Sequence, residues 1–143
     1  GICNGFQILL ESGLLEGAML HNASGKFICK PVHLRVNRSD SQFTHAVTVE
    51  RPLVIPIAHM EGNWTCDDDT WARMQGNGQI LLQYCDEHGR VSNDHNPNGA
   101  RGSVAGILNA QGNVLGMMPH PERYSEGILG GEDGKMLFES MLG

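Results

Sequence analysis

The seven residues GICNGFQ, at positions 1–7, constrain the fold more than any other part of this sequence. Gly1 and Gly5 lie two positions before and after Cys3, and apolar residues at helical spacing follow. Glycines at these places predict a sharp turn from a strand into a helix, where larger side chains would collide. Such a turn strains the central residue and presents its side chain at the tip. We expect the helix N-terminus to favour the Cys3 thiolate, and the amide of Asn4 to be an oxyanion donor.

A nucleophilic cysteine needs a base, and the segment MMPHPER offers one. His120 precedes Pro121, which biases it towards an extended conformation. Side chains two positions apart in an extended segment face the same side, so Glu122 is expected to hold one ring nitrogen of His120. A histidine oriented by a carboxylate can accept a thiol proton.

Composition excludes several classes of function. The formal net charge of -6 comes without a basic run, which argues against nucleic-acid binding. No apolar run approaches the length of a membrane span. The four cysteines form no CxxC pair, and no two histidines or cysteines stand at ligand spacing on one element. We therefore expect a cytoplasmic protein with no metal site, and 143 residues suit a single domain.

Periodicity predicts a mixture of helices and strands. A helix is expected after Cys3, ending near Gly13, and a strand within 26–37, where the alternation shifts at Pro31 as at a bulge or a sheet edge. Further strands are predicted at 45–50, 53–60 and 79–85, with two more around a turn at 111–112. A helix starting in DDDT and another at 133–142 complete the pattern, which is typical of the α/β class.

Cys3, His120 and Glu122, with Gln7 completing the pattern GxCxGxQ, resemble the class I, triad-type glutamine amidotransferases. The blocks NASGKFICKPV, PIAHMEG, NPNGA, VAGILNAQGNVLGMMPHPER and EDGKMLFESM are similar to those of the glutaminase subunits of phosphoribosylformylglycinamidine synthase. These blocks extend from the first residue almost to the last.

The resemblance implies an α/β, flavodoxin-like amidotransferase domain of three layers with a mixed, mostly parallel sheet. Residues 1–143 would be a partial domain that begins at the nucleophile turn. It would lack the N-terminal strands and the loop with the second oxyanion donor, and would be poorly stable and weakly active alone. By the same resemblance Cys3 is the nucleophile, His120 the general acid and base, and Glu122 its orienting group. The substrate would be held by Gln7, Asn22, Ser24 and Phe27.

The reaction implied is hydrolysis of glutamine to glutamate and ammonia through a cysteine thioester. Ammonia would pass to a synthetase subunit that carries ATP and magnesium, with a small third subunit in some lineages; this chain would hold no cofactor. Met60 stands where the family usually has glycine, so His59 and Glu61 are interpreted as polar groups at a strand end.

Three alternatives stay open from the sequence. The first is another triad-type amidotransferase or cysteine hydrolase of the same fold. The second is an N-terminal-nucleophile amidohydrolase, which would require removal of Gly1 and Ile2. The third is a non-catalytic fragment that binds a partner.

Overall fold

Seven strands and three α-helices form the protein in the computed structural model, which describes residues 1–143. The helices are α1 (Asn4–Glu11), α2 (Asp68–Gly76) and α3 (Asp133–Leu142). The strands are β1 (Ala18–Leu20), β2 (Ile28–Val36), β3 (Leu53–His59), β4 (Asn63–Thr65), β5 (Ile80–Cys85), β6 (Val104–Leu108) and β7 (Leu115–Met117). Short 3₁₀ turns cover 93–95, 101–103, 121–124 and 127–129. None of the helices combines the length and the apolar character needed to cross a membrane.

The main sheet has five strands in the order β3-β2-β5-β6-β7, and every pair of neighbouring strands is antiparallel. β1 and β4 form a separate antiparallel pair. The prediction of a three-layer, flavodoxin-like fold with a mostly parallel sheet is therefore wrong. Parallel neighbours need a long crossover, usually a helix, between them. No α-helix here links two adjacent strands of the main sheet, and the single parallel pairing is an isolated bridge between Ile2 and Met117.

The main sheet curls so that its two outer strands approach each other. β3 and β7 stand at opposite ends of the strand order. Yet His120, three residues after β7, donates its backbone N–H to the carbonyl of Pro56 in β3 at 2.8 Å. Residues 1–3, which run beside β7, also reach β3, since the Cys3 thiol lies 3.7 Å from the Ala58 carbonyl oxygen. The seam between the two sheet edges is where the candidate nucleophile and base meet.

Two apolar clusters hold this curl. The inner cluster joins residues of all five strands to Leu137 of α3, with Leu34, Leu53, Ile55, Ile57 and Tyr84 at its centre. The outer cluster places α1 and α2 against β5 and β6 through Phe6, Trp64, Met74 and Ile107. Both clusters reach β7, because successive residues of a strand face opposite sides: Met117 joins the inner cluster, and Gly116 lies under Phe6.

The prediction of a strand at 45–50 is wrong, because residues 42–46 form a turn and residues 47–49 have no regular secondary structure. The hydroxyls of Ser41 and Thr44 lie 2.8 Å apart, and the backbone N–H groups of Thr44 and His45 both bind the Ser41 carbonyl. Such local bonds compete with strand pairing. The shift of alternation at Pro31 corresponds to no bulge, since β2 and β3 pair in unbroken register there. It corresponds to the predicted sheet edge, because β2 pairs with β5 only over residues 33–36 and Pro31 is paired on one side.

Candidate active site

Cys3 occupies the strained turn between the residues beside β7 and helix α1. It is the N-cap of α1 with φ 53° and ψ -105°, and one of two non-glycine residues with positive φ. Its N–H donates to the Met117 carbonyl at 2.8 Å, and the Met117 N–H donates to the Gly1 carbonyl at 3.0 Å. A positive φ in a residue with a side chain is costly, so these bonds impose the conformation.

The two flanking glycines differ in how far the structure requires them. A Cβ on Gly1 would lie 2.5 Å from the Gly5 carbonyl oxygen and 2.6 Å from Leu9 Cδ1, which no native contact permits. A Cβ on Gly5 would meet nothing within 4 Å. The expected collision is thus found at Gly1, and nothing in the structure explains glycine at position 5.

His120 and Glu122 form the predicted pair, although the local backbone differs from expectation. His120, with φ -103° and ψ 88°, falls short of the extended conformation expected before proline, and Pro121 begins a 3₁₀ turn that contains Glu122. The carboxylate oxygens lie 3.0 and 3.2 Å from His120 Nδ1. A carboxylate only accepts, so Nδ1 carries the proton and Nε2 presents a lone pair. His120 Nε2 is buried and has no hydrogen-bond partner.

The free edge of β3 positions both candidate catalytic residues. The Pro56 carbonyl accepts the His120 backbone N–H, and the Ala58 carbonyl accepts the Cys3 thiol at 3.7 Å. Carbonyls two residues apart point to the same edge of a strand, separated by about 6–7 Å. The candidate nucleophile and base therefore bind neighbouring positions on the same edge of β3. In the resting site the Cys3 thiol is hydrogen-bonded to the Ala58 carbonyl and not to His120.

A cleft of about 480 Å³ opens over this edge, a volume within the range of small-molecule sites (about 300–1,000 Å³). Of the sequence-predicted residues, it brings together Cys3, Asn4, Gln7, Phe27 and His120. Glu122 stands behind His120, outside the lining. The remaining lining residues are Ile2, Ala58, His59, Met60, Glu61 and Arg123.

Cys3 rests as a thiol and not as the thiolate predicted from its position at the N-terminus of a helix. Burial raises the pKa of the Cys3 thiol above its ordinary value, and the Glu122 charge adds to this. The Asn4 amide and the Arg123 charge lower the same pKa but do not offset the burial. Nucleophilic attack by Cys3 would therefore require a base to remove the thiol proton, which is the role expected of His120.

The residues expected to hold substrate divide into two groups. Gln7 donates to the carbonyl and carboxylate oxygens of Glu61 at 3.4 and 3.2 Å, and Phe27 is 58% exposed at the cleft. Asn22 and Ser24 are not part of the lining. The hydroxyl of Ser24 accepts a local N–H from Lys26.

Asn22 is instead a buried link between two segments. Its amide nitrogen donates to the carbonyls of Lys26 and His59 at 2.8 and 2.9 Å. Its oxygen accepts the Gly62 N–H at 3.0 Å and lies 3.1 Å from His59 Nδ1. Its polar atoms are therefore occupied within the protein, and it orders the segment that carries Met60 into the cleft.

Sequence reasoning missed the contribution of the segment 58–62. His59 is the last residue of β3, as interpreted from the sequence, but its place in the cleft lining was not predicted. It is 4% exposed. The available signal was the predicted strand at 53–60, because the two-residue period of a strand places His59 on the same face as Leu53, Ile55 and Ile57.

A strained cysteine at a helix start, beside a histidine held by a glutamate, is the arrangement of a cysteine amidotransferase site. Residues 1–130 match the family of CobB/CobQ-like glutamine amidotransferase domains, and the chain belongs to this family. The narrower resemblance to the glutaminase subunits of phosphoribosylformylglycinamidine synthase is confirmed by the relatives that follow.

The chain is 53% identical over 142 residues to the phosphoribosylformylglycinamidine synthase subunit PurQ of Nitrobacter winogradskyi, covering 99% of this chain and 61% of that protein. It is 52% identical over 143 residues to the PurQ subunit of Koribacter versatilis, covering 62% of it. A chain in the structure of PurLQS from Thermotoga maritima matches with a TM-score of 0.82 and 46% identity, over 99% of this chain and 59% of that one. The chain thus spans about three-fifths of the length of these relatives.

Proposed function

We propose that the protein containing this chain is a glutaminase that hydrolyses glutamine to glutamate and ammonia through a thioester on Cys3. It supplies that ammonia to phosphoribosylformylglycinamidine synthase in purine biosynthesis. The observation that carries the proposal is the shared cleft of Cys3 and His120, in which Glu122 holds His120 Nδ1 and leaves Nε2 unpartnered. The similarity to PurQ subunits of phosphoribosylformylglycinamidine synthase supports the proposed substrate and pathway.

The first step is activation of the thiol. Its proton leaves the Ala58 carbonyl and passes to Nε2 of His120, and the Glu122 carboxylate stabilises the resulting imidazolium. The thiolate attacks the carboxamide carbon of glutamine, and the negative oxygen forms near the Asn4 amide.

Collapse of the tetrahedral intermediate releases ammonia, because His120 Nε2 returns its proton to the departing nitrogen. A glutamyl thioester stays on Cys3. Water, deprotonated by the same ring, hydrolyses the thioester and releases glutamate. His120 thus acts as acid and base in turn, with Glu122 fixing its tautomer throughout.

The partner is a synthetase subunit that uses ATP and magnesium, together with a small third subunit, and the complex works in the cytoplasm. The similarity to a chain of the PurLQS structure supports this assembly. Residues 1–143 would form an amidotransferase domain that is partial, and ATP and magnesium would bind only to the synthetase.

Alkylation kinetics test whether the triad is assembled. In the complete protein, iodoacetamide and a diazoketone analogue of glutamine should modify Cys3 far faster than Cys29, Cys66 or Cys85 at neutral pH. Burial raises the pKa of Cys85 to about 11, so Cys85 should react slowly. Cys29 is exposed to the reagent, so its rate is the most stringent comparison for Cys3. His120→Asn should reduce the Cys3 rate to that of Cys29 or below, since the thiol then lacks its base. Equal labelling of all four cysteines would support the non-catalytic alternative.

Cys3→Ala gives the complementary test. Glutamine-dependent synthesis by the whole complex should be abolished, while synthesis from added ammonia should survive, because the synthetase subunit needs only the nitrogen. Loss of both activities would contradict the nucleophile role and assign Cys3 to assembly.

A further inference from the structure

Three buried side-chain polar atoms of this protein have no hydrogen-bond partner, and two of them belong to the cleft. They are Nε2 of His120 and Nε2 of His59; the third is Oδ1 of Asn96. Unpaired buried polar atoms are rare because each costs free energy. The unpaired His120 atom is the one that the thioester mechanism uses. The unpaired Nε2 of His59 therefore suggests a second buried atom whose hydrogen-bond partner is supplied by the bound substrate.

The tautomer of His59 follows from its contact with Asn22. The Asn22 amide nitrogen donates to two carbonyls, which fixes its oxygen as the atom that faces His59 Nδ1 at 3.1 Å. An oxygen acceptor requires a proton on Nδ1, so Nε2 carries the lone pair. His59 lines the cleft and Asn22 does not, and no protein group binds the buried Nε2 of the ring.

The ring is rigidly held and uncharged. A Cβ on Gly62 would lie 2.3 Å from His59 Cε1, so the ring rests directly on the backbone of Gly62. Burial, with a smaller contribution from the His120 charge, lowers the pKa of His59 to about 4. At neutral pH His59 therefore accepts hydrogen bonds through Nε2 and takes no part in proton transfer.

We propose that His59 is a specificity residue that accepts a hydrogen bond from the carboxamide nitrogen of glutamine, with Asn22 as the positioning residue that fixes its tautomer. This rests on the proposed glutaminase function. The departing nitrogen must reach Nε2 of His120 to be protonated, and that nitrogen carries two N–H groups. Its lone pair must face the Nε2–H of His120, and one of its two N–H groups then meets the lone pair of His59. Glutamate has no N–H at this place and would set a carboxylate oxygen against the same lone pair.

The consequence is discrimination between substrate and product. A site built to accept a substrate N–H rejects an analogue that lacks it, because the buried acceptor stays unpaired. Since glutamate is the product, weak binding of glutamate would also favour its release.

His59→Asn separates the two edges of the ring. The asparagine amide can still donate to Asn22 Oδ1, but it has no atom at the position of Nε2. We expect the KM for glutamine to rise roughly 10- to 100-fold, with the competitive inhibition constant of glutamate unchanged or lower. His59→Gln, which can place its amide oxygen near the Nε2 position, should recover part of the loss. His88→Asn changes an exposed histidine and serves as the matched control.

The assay uses the complete subunit with its synthetase, and a second measurement avoids substitution at position 59. In Cys3→Ala protein with ¹⁵N-labelled histidine, glutamine should shift the Nε2 resonance of His59, and glutamate should not.

An unchanged KM in His59→Asn, a parallel rise in the glutamine KM and the glutamate constant, or identical spectra with both ligands would overturn the proposal. These results in an active wild-type enzyme would refute only the role of His59. A wild-type enzyme without glutaminase activity, and with Cys3 unlabelled by the glutamine analogue, would refute the proposed function itself.

Discussion

Acidification from pH 7 to pH 5 should destabilise the protein through His59. The ring is buried, and its pKa is lowered from the ordinary 6.5 to about 4 in the folded state. Between these two pKa values the unfolded chain binds more protons than the folded one. The free energy of unfolding therefore has its full value above the pKa of the unfolded state and decreases as the pH falls towards the pKa of the folded state. One pKa unit corresponds to about 1.4 kcal/mol, and linkage over this interval gives a loss of about 1–2 kcal/mol by pH 5.

Urea unfolding of wild type and His59→Gln at pH 7, 6 and 5 measures this quantity. Glutamine cannot titrate, so the stability advantage of wild type over the variant should shrink by the stated amount as pH falls. Carboxylates titrate in both proteins and cancel in the comparison. His88→Gln, at an exposed position, should follow wild type. A wild-type advantage that stays constant from pH 7 to pH 5 would refute the claim that His59 is buried in its neutral form.

Two further substitutions test the site and its support. Glu122→Gln should lower kcat by about 100-fold or more and leave the glutamine KM nearly unchanged, because a neutral amide cannot stabilise the His120 imidazolium. Steady-state kinetics measure both constants. An unaltered kcat would show that Glu122 is not part of the triad. Gly116→Ala should destabilise the protein by about 1–3 kcal/mol in urea unfolding and slow Cys3 labelling, because the new Cβ would lie 2.4 Å from Phe6 Cδ1 under α1. Gly5→Ala, where a Cβ meets nothing within 4 Å, is its matched control and should cost nothing.

Local patterns in the sequence predicted most elements but not their arrangement. The strand at 53–60 is found as Leu53–His59, and the helix at 133–142 as Asp133–Leu142. Their apolar spacing and turn residues are properties of short segments. Strand direction depends on which segments pair across long separations, and β2 pairs with both β3 and β5. The parallel sheet was taken from the resemblance, and the antiparallel pairing of every neighbouring strand overturned it.

The site was predictable where neighbouring residues determine it. The contact of Glu122 with His120 was predicted and lies at 3.0 Å, but it forms through a 3₁₀ turn that begins at Pro121 and not through an extended segment. The ionisation of Cys3 was not predictable in this way. Helix position favours the thiolate, but burial by distant parts of the chain opposes it, and burial is the larger contribution.

Two prolines in neighbouring strands determine which edge of β3 carries the candidate catalytic residues. Pro31 of β2 lies directly opposite Pro56 of β3. Proline has no N–H, so this pair cannot exchange ladder hydrogen bonds, and both carbonyls must point away from the partner strand. The carbonyl of Pro56 is therefore directed to the free edge, and two residues along the strand so is that of Ala58. These two oxygens bind the His120 backbone N–H and the Cys3 thiol. The proline pair thus determines which alternate carbonyls of β3 the candidate base and nucleophile can reach.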